Sequence, residues 1–387
     1  MVSRVTQRNR KGETSALTIS AKDGLVSQTE YFNRRVVSED TRQYFLLERG
    51  DFAYNKSYSA GYPVGVIRRL DRYVTGIVSP LYICFRPNLG FDSDFLRHYF
   101  EAGRVDEQIA WVAKEGVRNH GLLNVGVDDF FSVDVDLPPI GEQRRIASIL
   151  DSVDESIRST ERLLDKLALT TKGALHNLLE ELVGAATSPQ IMRPLGSIGR
   201  IRSGSTPSRA LHSRYFANGS IPWVKTMDLN EGVVASTDER ITGAAVSDYS
   251  CPILEPMTVL VAMYGGWAQI GRTAILGCPG TINQAISAVE VQDTSVDPFY
   301  VQLALQVRRD RWKGIAASTR KDPNVTRADV LAFEIPVPRL EAQRKIVAAS
   351  NAAKLRVKAE QMKLAKLRRF KDGLREDLLT GRVRVRT

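Results

Sequence analysis

Two stretches of the chain place apolar side chains at alternating steps of four and three residues. In the first, Ile146, Leu150, Val153, Ile157, Thr160, Leu164, Leu167, Thr171, Ala174 and Leu178 form one stripe, with no proline between Gln143 and Val183. That spacing keeps one face of a helix turned toward a partner. About 41 residues at 1.5 Å each predict a helix roughly 60 Å long. The second stretch runs from Glu341 to about Thr380, with Leu364, Leu367, Leu374 and Leu378 on its stripe but Ser350, Glu360 and Lys371 at equivalent positions. The second helix is less able to stand alone, so the two are expected to pack on each other as an antiparallel coiled coil.

The stretches are copies of one another. Pro138, Ile140, Gln143, Arg144, Arg145 and Ile146 recur 200 residues later as Pro338, Leu340, Gln343, Arg344, Lys345 and Ile346. The register holds through Leu164, Lys166, Leu167, Gly173, Leu178 and Leu179, which return as Leu364, Lys366, Leu367, Gly373, Leu378 and Leu379. A repeat of this length implies duplicated architecture. Before each helix lies a block with strand-like patterning. Val125, Asp129, Phe131, Val133, Val135 and Leu137 alternate toward a proline, as do Val325, Asp329, Leu331, Phe333, Ile335 and Val337, which predicts a half-buried strand leading into each helix. Pro63–Val66 and Gln269–Arg272 open further strand patterns, as do Tyr82–Phe85 and Ala285–Val289. The expected fold is α+β: a mixed α/β head over 1–142, a long helix over 143–186, a second head over 187–340, and a second long helix with a basic tail over 341–387.

Charge changes the picture. The net charge is +10, and residues 341–387 carry fourteen basic against five acidic side chains, so most of the excess sits in one element. Residues 143–183 are near neutral, with six basic against seven acidic. A solvated helix face and a surface for an acidic partner both fit this distribution. Apolar (43%) and charged (25%) shares are those of a folded globular protein, and the weakly polar stretch from Thr258 to Ile270 is too short and Gly-rich to span a bilayer. Arg4, Arg8, Arg10 and Lys11 are followed by no apolar core and cleavage site, so a cytoplasmic protein is expected. Cys84, Cys251 and Cys278 are few and scattered, as are His98, His120, His176 and His212, so neither disulfides nor a metal site is expected.

Catalytic signatures are missing. Gly266–Thr273 has P-loop spacing, but Arg272 stands where the phosphate-reaching lysine belongs, and a glycine turn beside a strand is expected instead. Asp297-Pro298-Phe299-Tyr300 resembles the tetrad of adenine methyltransferases but lacks the second proline and a donor-binding loop; a Pro-initiated helix is expected. No [DE]-x-K triplet, G-x-S-x-G elbow or H-E-x-x-H is present. No cofactor is implied. Side chains able to read DNA fall in Gly-rich or polar loops: Arg34, Arg35, Asn55, Lys56, Tyr58, Arg118, Asn119 and His120 in the first head, and Arg202, Ser205, Thr206, Lys225, Tyr264, Trp267, Asn283, Gln284, Arg320 and Lys321 in the second. Arg and Lys bond guanine, Asn and Gln pair with adenine, and either set can instead hold phosphates. Trp223 and Trp312 are expected in the core.

Leu137-Pro138-Pro139-Ile140-Gly141-Glu142-Gln143, then Arg145-Ile146 and a long helix, resembles the end of a target-recognition domain and the start of a conserved helix in type I restriction-modification specificity subunits. Val337 to Gln343 is a second copy, with Ala342 in place of the usual glutamate. Gly196 with Ile198, Gly204–Ser208 and Ile221–Lys225 resemble the opening of such a domain, and Leu378–Val383 the family's C-terminus. The resemblance implies a non-catalytic subunit that reads a split site in double-stranded DNA, one half per head. It also implies that two adenine methyltransferase subunits dock on the helices, joined by two translocating endonuclease subunits in the full complex. Residues 1–30 show no counterpart of Gly204–Lys225, so the first head is expected to lack its opening segment or to borrow it from the tail at Arg382–Arg386. The rival readings are a specificity subunit of an orphan methyltransferase complex, a methyltransferase-specificity fusion, and a tandem protein-binding scaffold without DNA contacts.

Overall fold

The structure, a computed structural model, describes the chain apart from residues 11, 21–22, 33–37, 39, 58–60, 119–121, 185–191, 317–323 and 386–387; for 114–118, 122 and 179–184 it describes the backbone only. It divides into two compact units, residues 1–161 with 362–387, and residues 162–361. Each unit holds one head, the start of the long helix that leaves it, and the far end of the other long helix. Among the described residues no helix is long and apolar enough to cross a membrane.

In the first unit an antiparallel sheet built from β1 (Val2–Arg4), β2 (Phe52–Asn55), β3 (Val66–Arg69) and β4 (Ile83–Pro87) runs in the order β1-β4-β2-β3. Its inner strands β2 and β4, with Val66 and Ile67 of β3, are buried on both faces. Phe52, Tyr54, Ile67, Ile83 and Phe85 pack on Phe95, Leu96, Tyr99 and Phe100 of helix α1 (Ser93–Glu101). Their neighbours Ala53, Val66 and Cys84 point the other way, onto Leu17, Leu25, Phe45, Leu47 and Val78. Successive strand residues face opposite sides, so two-sided burial turns the expected alternation into apolar runs.

The second unit repeats the plan. Strands β5 (Gly199–Ser203), β6 (Ile221–Val224), β7 (Val259–Ala262), β8 (Thr273–Leu276), β9 (Thr281–Ile282) and β10 (Ile286–Val291) include a sheet ordered β5-β10-β7-β8, extended by Val233–Val234 alongside β8. Ile201, Val259, Val261, Ile275 and Val289 pack on Tyr300, Val301 and Ala304 of helix α2 (Pro298–Val307), while Leu260, Ala274, Leu276 and Ala288 face Val224, Leu229 and Leu254. The shared order sets β1 in the position of β5. The first head therefore has an opening strand, Val2–Arg4, too short to register as a counterpart of Gly199–Ser203 in sequence.

The expected strands ahead of the long helices are corrected. Val127–Phe131 and Arg327–Ala332 are short helices; the second starts on a capping box, in which the Thr326 hydroxyl accepts from Asp329 N–H and the Asp329 carboxylate accepts from Thr326 N–H. Only Glu334–Pro336 is a strand, paired with Met192–Pro194. Val133, Val135 and Leu137 lie in no strand, yet still pack on the first core. The other patterned segments begin their strands late: Pro63–Gly65 precedes β3 and Gln269–Arg272 precedes β8. The Asp297 side chain caps α2, accepting from Phe299 N–H at 2.8 Å, as a Pro-initiated helix requires.

The long helices span Ile140–Gly184 and Leu340–Leu379. Each begins on the same device. Gln143, 2% exposed, accepts from the N–H of Asp92, the α1 cap residue, at 2.9 Å and donates to Pro138 O at 2.7 Å. Gln343, fully buried, accepts from the N–H of Asp297 at 2.9 Å and donates to Pro338 O at 2.7 Å. One turn on, Ile146 and Ile346 enter the two cores.

In the first unit Ile146, Leu150 and Val153 are buried, with Leu378 and Leu379 closing the same core as Ile146 and Leu150 and Leu374 packing at its edge. Ile157, Leu364 and Leu367 are half-buried. Lys371 pairs with Asp154 at 2.5 Å and Arg368 with Glu161 at 2.6 Å, so numbers fall on one helix as they rise on the other, the antiparallel sense. In the second unit Leu164 and Leu167 are half-buried and Leu175 packs on the core, whereas Leu178, the last residue of its stripe, is 37% exposed. The basic tail folds back onto the first unit. Arg384 forms a two-pronged bond to the buried Glu142 carboxylate, which also accepts from Val385 N–H at 3.0 Å.

Replacing Gln343 with leucine strands the Asp297 N–H and the Ser295 and Pro338 carbonyls, so the second unit should lose about 1–3 kcal/mol, read by urea unfolding through tryptophan emission. A loss no larger than a surface substitution's, about 0.5 kcal/mol, would show that the glutamine clamps nothing. The tail supplies a pH test. Arg384, then Val385 N–H, hold the Glu142 carboxyl below its ordinary value. A carboxyl depressed on folding stabilises above its unfolded pKa and stops doing so as pH falls through its folded value. The Val385 amide should therefore be protected from exchange at neutral pH and lose protection in the acid range, and Glu142→Ala, which removes the acceptor, should lose it at every pH. Equal protection in that variant at neutral pH would break the assignment.

Candidate nucleic-acid interface

Loops that follow β5, β6, β7 and β9 converge on one edge of the second head. The segment after β5 crosses β9 closely: Ser205 N–H donates to Ile282 O at 3.2 Å, and a Cβ on Gly204 would collide with the carbonyl oxygens of Ile282 and Asn283. Glycine is required there by close approach of two backbones. Asn283 N–H reaches Val224 O at 2.9 Å, which brings Lys225 to the same place. Met263 N–H donates to Ala285 O at 2.8 Å and sets Tyr264 beside Asn283 and Gln284. Gln269 meets Met227 at 3.5 Å, which joins the Trp267 loop to the turn after Lys225.

Of the second head's expected readers, Ser205, Thr206, Lys225, Tyr264, Trp267, Asn283 and Gln284 thus share one surface. Tyr264 and Trp267 are 41% and 48% exposed, and Gln284 is exposed. Arg202 lies half-buried near the end of edge strand β5, opposite Ala288. Arg320 and Lys321 fall outside the described residues. The Asn283 side chain accepts from Ala285 N–H and shapes its own loop. Trp223 and Trp312 are core residues, 2% and 0% exposed. Gly265, Gly266 and Gly271, with φ of 110°, 76° and 71°, make the loop with P-loop spacing a plain turn between β7 and β8.

Lys225 is not a free cation. Its ammonium donates to Glu239 Oε1 at 2.8 Å, and Arg209 donates to Glu239 Oε2 at 2.6 Å. The Lys225 hydrogen bond, offset in part by desolvation and reinforced by Arg209, holds the Glu239 carboxyl below its ordinary range. Sequence reasoning missed Glu239 and Arg209, because fourteen or more residues separate them from Lys225 and no local motif joins them. Met227, 72% exposed at the tip of the turn, was missed as well.

In the first head Asn55 ends β2, the counterpart of β7, and Lys56 follows it. Asn55 accepts from Ser57 N–H, and Lys56 O accepts from Leu123 N–H at 2.8 Å, so this loop meets the segment after Lys114–Arg118. Arg118 is described by its backbone alone, and Arg34, Arg35, Tyr58, Asn119 and His120 lie outside the described residues.

Two further features bear on chemistry. His98, Asp151 and Asp154 are the one group of potential metal ligands among the described residues. It already holds cations: Arg97 bonds Asp151, and Lys371 bonds Asp154. Burial and the neighbouring Arg97 push His98 down to about 3, so it is neutral at physiological pH. In the second unit a groove of about 1270 Å³ is lined by Leu175 of the first long helix, Val357 of the second, and Trp267. Arg311, Lys354 and Lys358 face it without an acidic ion-pair partner among the described residues.

Comparison with known proteins agrees with this architecture. Residues 191–364 match the family described as type I restriction modification DNA specificity domain. The specificity subunit of the type I restriction enzyme EcoR124I/EcoR124II of Escherichia coli is 24% identical over 156 residues, 40% of this chain and 38% of that protein. The MjaIX specificity subunit of Methanocaldococcus jannaschii is 21% identical over 350 residues, 84% of this chain and 79% of that protein. Among solved structures, a chain from a study of type I R-M complex assembly has TM-score 0.60 at 20% identity, covering 98% of this chain and 97% of its own. An HsdS subunit from Thermoanaerobacter tengcongensis has TM-score 0.55 at 20% identity, covering 99% and 97%. The likeness to these structures concerns the fold, and it extends to both heads and both long helices. Residues 191–364 thus match a type I restriction modification DNA specificity domain, and the duplicated heads and paired helices around it are similar in fold to the specificity subunits of type I restriction-modification systems.

Proposed function

We propose that this protein reads a bipartite site in double-stranded DNA for a type I restriction-modification complex, one half-site per head. The observation that carries the reading is the convergence of Ser205, Lys225, Tyr264, Asn283 and Gln284 on one edge of a head whose sheet order is repeated in its twin. Polar side chains on loops at the end of a rigid sheet suit base-edge readout, while nearby cations suit phosphates. The chain itself neither methylates nor cuts. Adenine methyltransferase subunits, two per chain, dock on the long helices; the basic groove beside Leu175 and Val357 supports such a dock for an acidic, partly apolar segment. Translocating endonuclease subunits complete the assembly, and the site of action is the cytoplasm.

The test is a head exchange. Residues 190–335 replaced by the matching segment of a relative, and co-expressed with the methyltransferase partner, should rewrite one half-site in the host methylome. The other half-site and the unread gap should stay the same. If both half-sites change together, one head per half-site is wrong.

A further inference from the structure

Three charged side chains from separate segments meet beside the loop cluster of the second head. Glu239 spends one carboxylate oxygen on Lys225 and the other on Arg209. The triad is tightly built. Glu239 O accepts from Trp223 N–H at 3.1 Å and from the Thr237 hydroxyl at 2.6 Å. The Arg209 guanidinium lies 4.5 Å from the Phe216 ring centroid and 5.5 Å from that of Trp223. Lys225 N–H is fixed by Asp228 at 2.7 Å.

An acid is an unexpected tenant on a face built for a polyanion, since it repels every phosphate regardless of sequence. Two bare cations there would do the opposite. Each phosphate neutralised releases counterions and strengthens binding to any duplex. Glu239 cancels one of the two positive charges. It takes only one of the three donors of the Lys225 ammonium, leaving two for an acceptor on a base edge such as guanine O6 or N7.

We infer that Glu239 is a specificity-determining residue of the second head: it mutes Lys225 and Arg209 toward phosphates in general while holding Lys225 ready for a base acceptor. The inference rests on the DNA-reading function proposed above. Specificity is a difference of affinities, and a repulsive element serves it as well as an attractive one.

The experiment measures binding of the full chain to two labelled duplexes, one carrying the methylated site and one scrambled, across a salt series. Glu239→Gln should bind the scrambled duplex roughly tenfold more tightly at low salt, with the slope of log K against log salt steeper by about 0.9 for each additional phosphate neutralised. The preference for the cognate site should shrink accordingly. Glu239→Ala carries the same expectation, because neither replacement keeps the charge, and agreement between the two separates charge loss from misfolding. Lys225→Met alone should weaken cognate binding by a larger factor than scrambled binding; added to Glu239→Gln, it should remove part of the extra slope. An unchanged slope and unchanged scrambled affinity in both Glu239 variants would overturn the inference, with DNA reading intact if the wild-type chain still prefers its site. A wild-type chain that binds neither duplex would overturn the DNA-reading function itself, and this inference with it.

Discussion

One buried glutamine ties each head to its long helix, and the rest of the architecture leans on that tie. Gln143 and Gln343 each satisfy the N–H of an aspartate that is itself the cap of a core helix, and each returns a hydrogen bond to the proline carbonyl five residues back. A helix that starts inside a core has amide groups that nothing in the helix can satisfy. The glutamine joins two such ends, so the sheet, the core helix and the first turn of the long helix are positioned together. Ile146 and Ile346 then enter the cores at equivalent depth. Any displacement of the long helix would leave buried polar groups unpaired, which is costlier than losing a few apolar contacts.

This also explains what could be read from the sequence and what could not. The Pro138–Ile146 and Pro338–Ile346 segments were conspicuous because the clamp needs a proline, a glutamine and a β-branched residue at fixed spacing. Long helices advertise themselves through many turns of one stripe. The strands ahead of the helices misled, since the Thr326–Asp329 capping box starts a helix inside a segment whose Val325, Leu331, Phe333 and Ile335 fall on alternate positions. β1 was invisible: three residues with one half-buried side chain carry too little periodicity to stand out. Most of the second head's candidate readers fell on one surface because glycine and polar loops follow strand ends there. The Glu239 triad has no local signature, because the pairing of Arg209, Lys225 and Glu239 is created by tertiary folding alone.

Charge on this protein is therefore managed at two scales. Along the second long helix and its tail the basic excess is answered only in part, at Asp154 and Glu161 for the helix and at Glu142 for the tail, leaving Lys354 and Lys358 over a groove with apolar walls. At the edge of the second head, one carboxylate moderates two cations within a few ångströms. The first arrangement suits a partner recognised by net charge and shape. The second suits one in which every candidate ligand has the same backbone charge and discrimination has to come from elsewhere.

The first unit is made from two pieces of chain, and the whole of the second unit lies between them. Leu378 and Leu379 belong to the same core as Phe52, Phe85 and Leu150. During synthesis those leucines leave the ribosome more than two hundred residues after Leu150, a delay on the order of ten seconds or more at ordinary elongation rates. The second unit, one continuous stretch, can complete itself while the earlier head still shows an open apolar seam. A nascent chain that stalls before its final helical turns would carry that seam exposed, a mark by which quality control can separate unfinished copies from those fit to assemble.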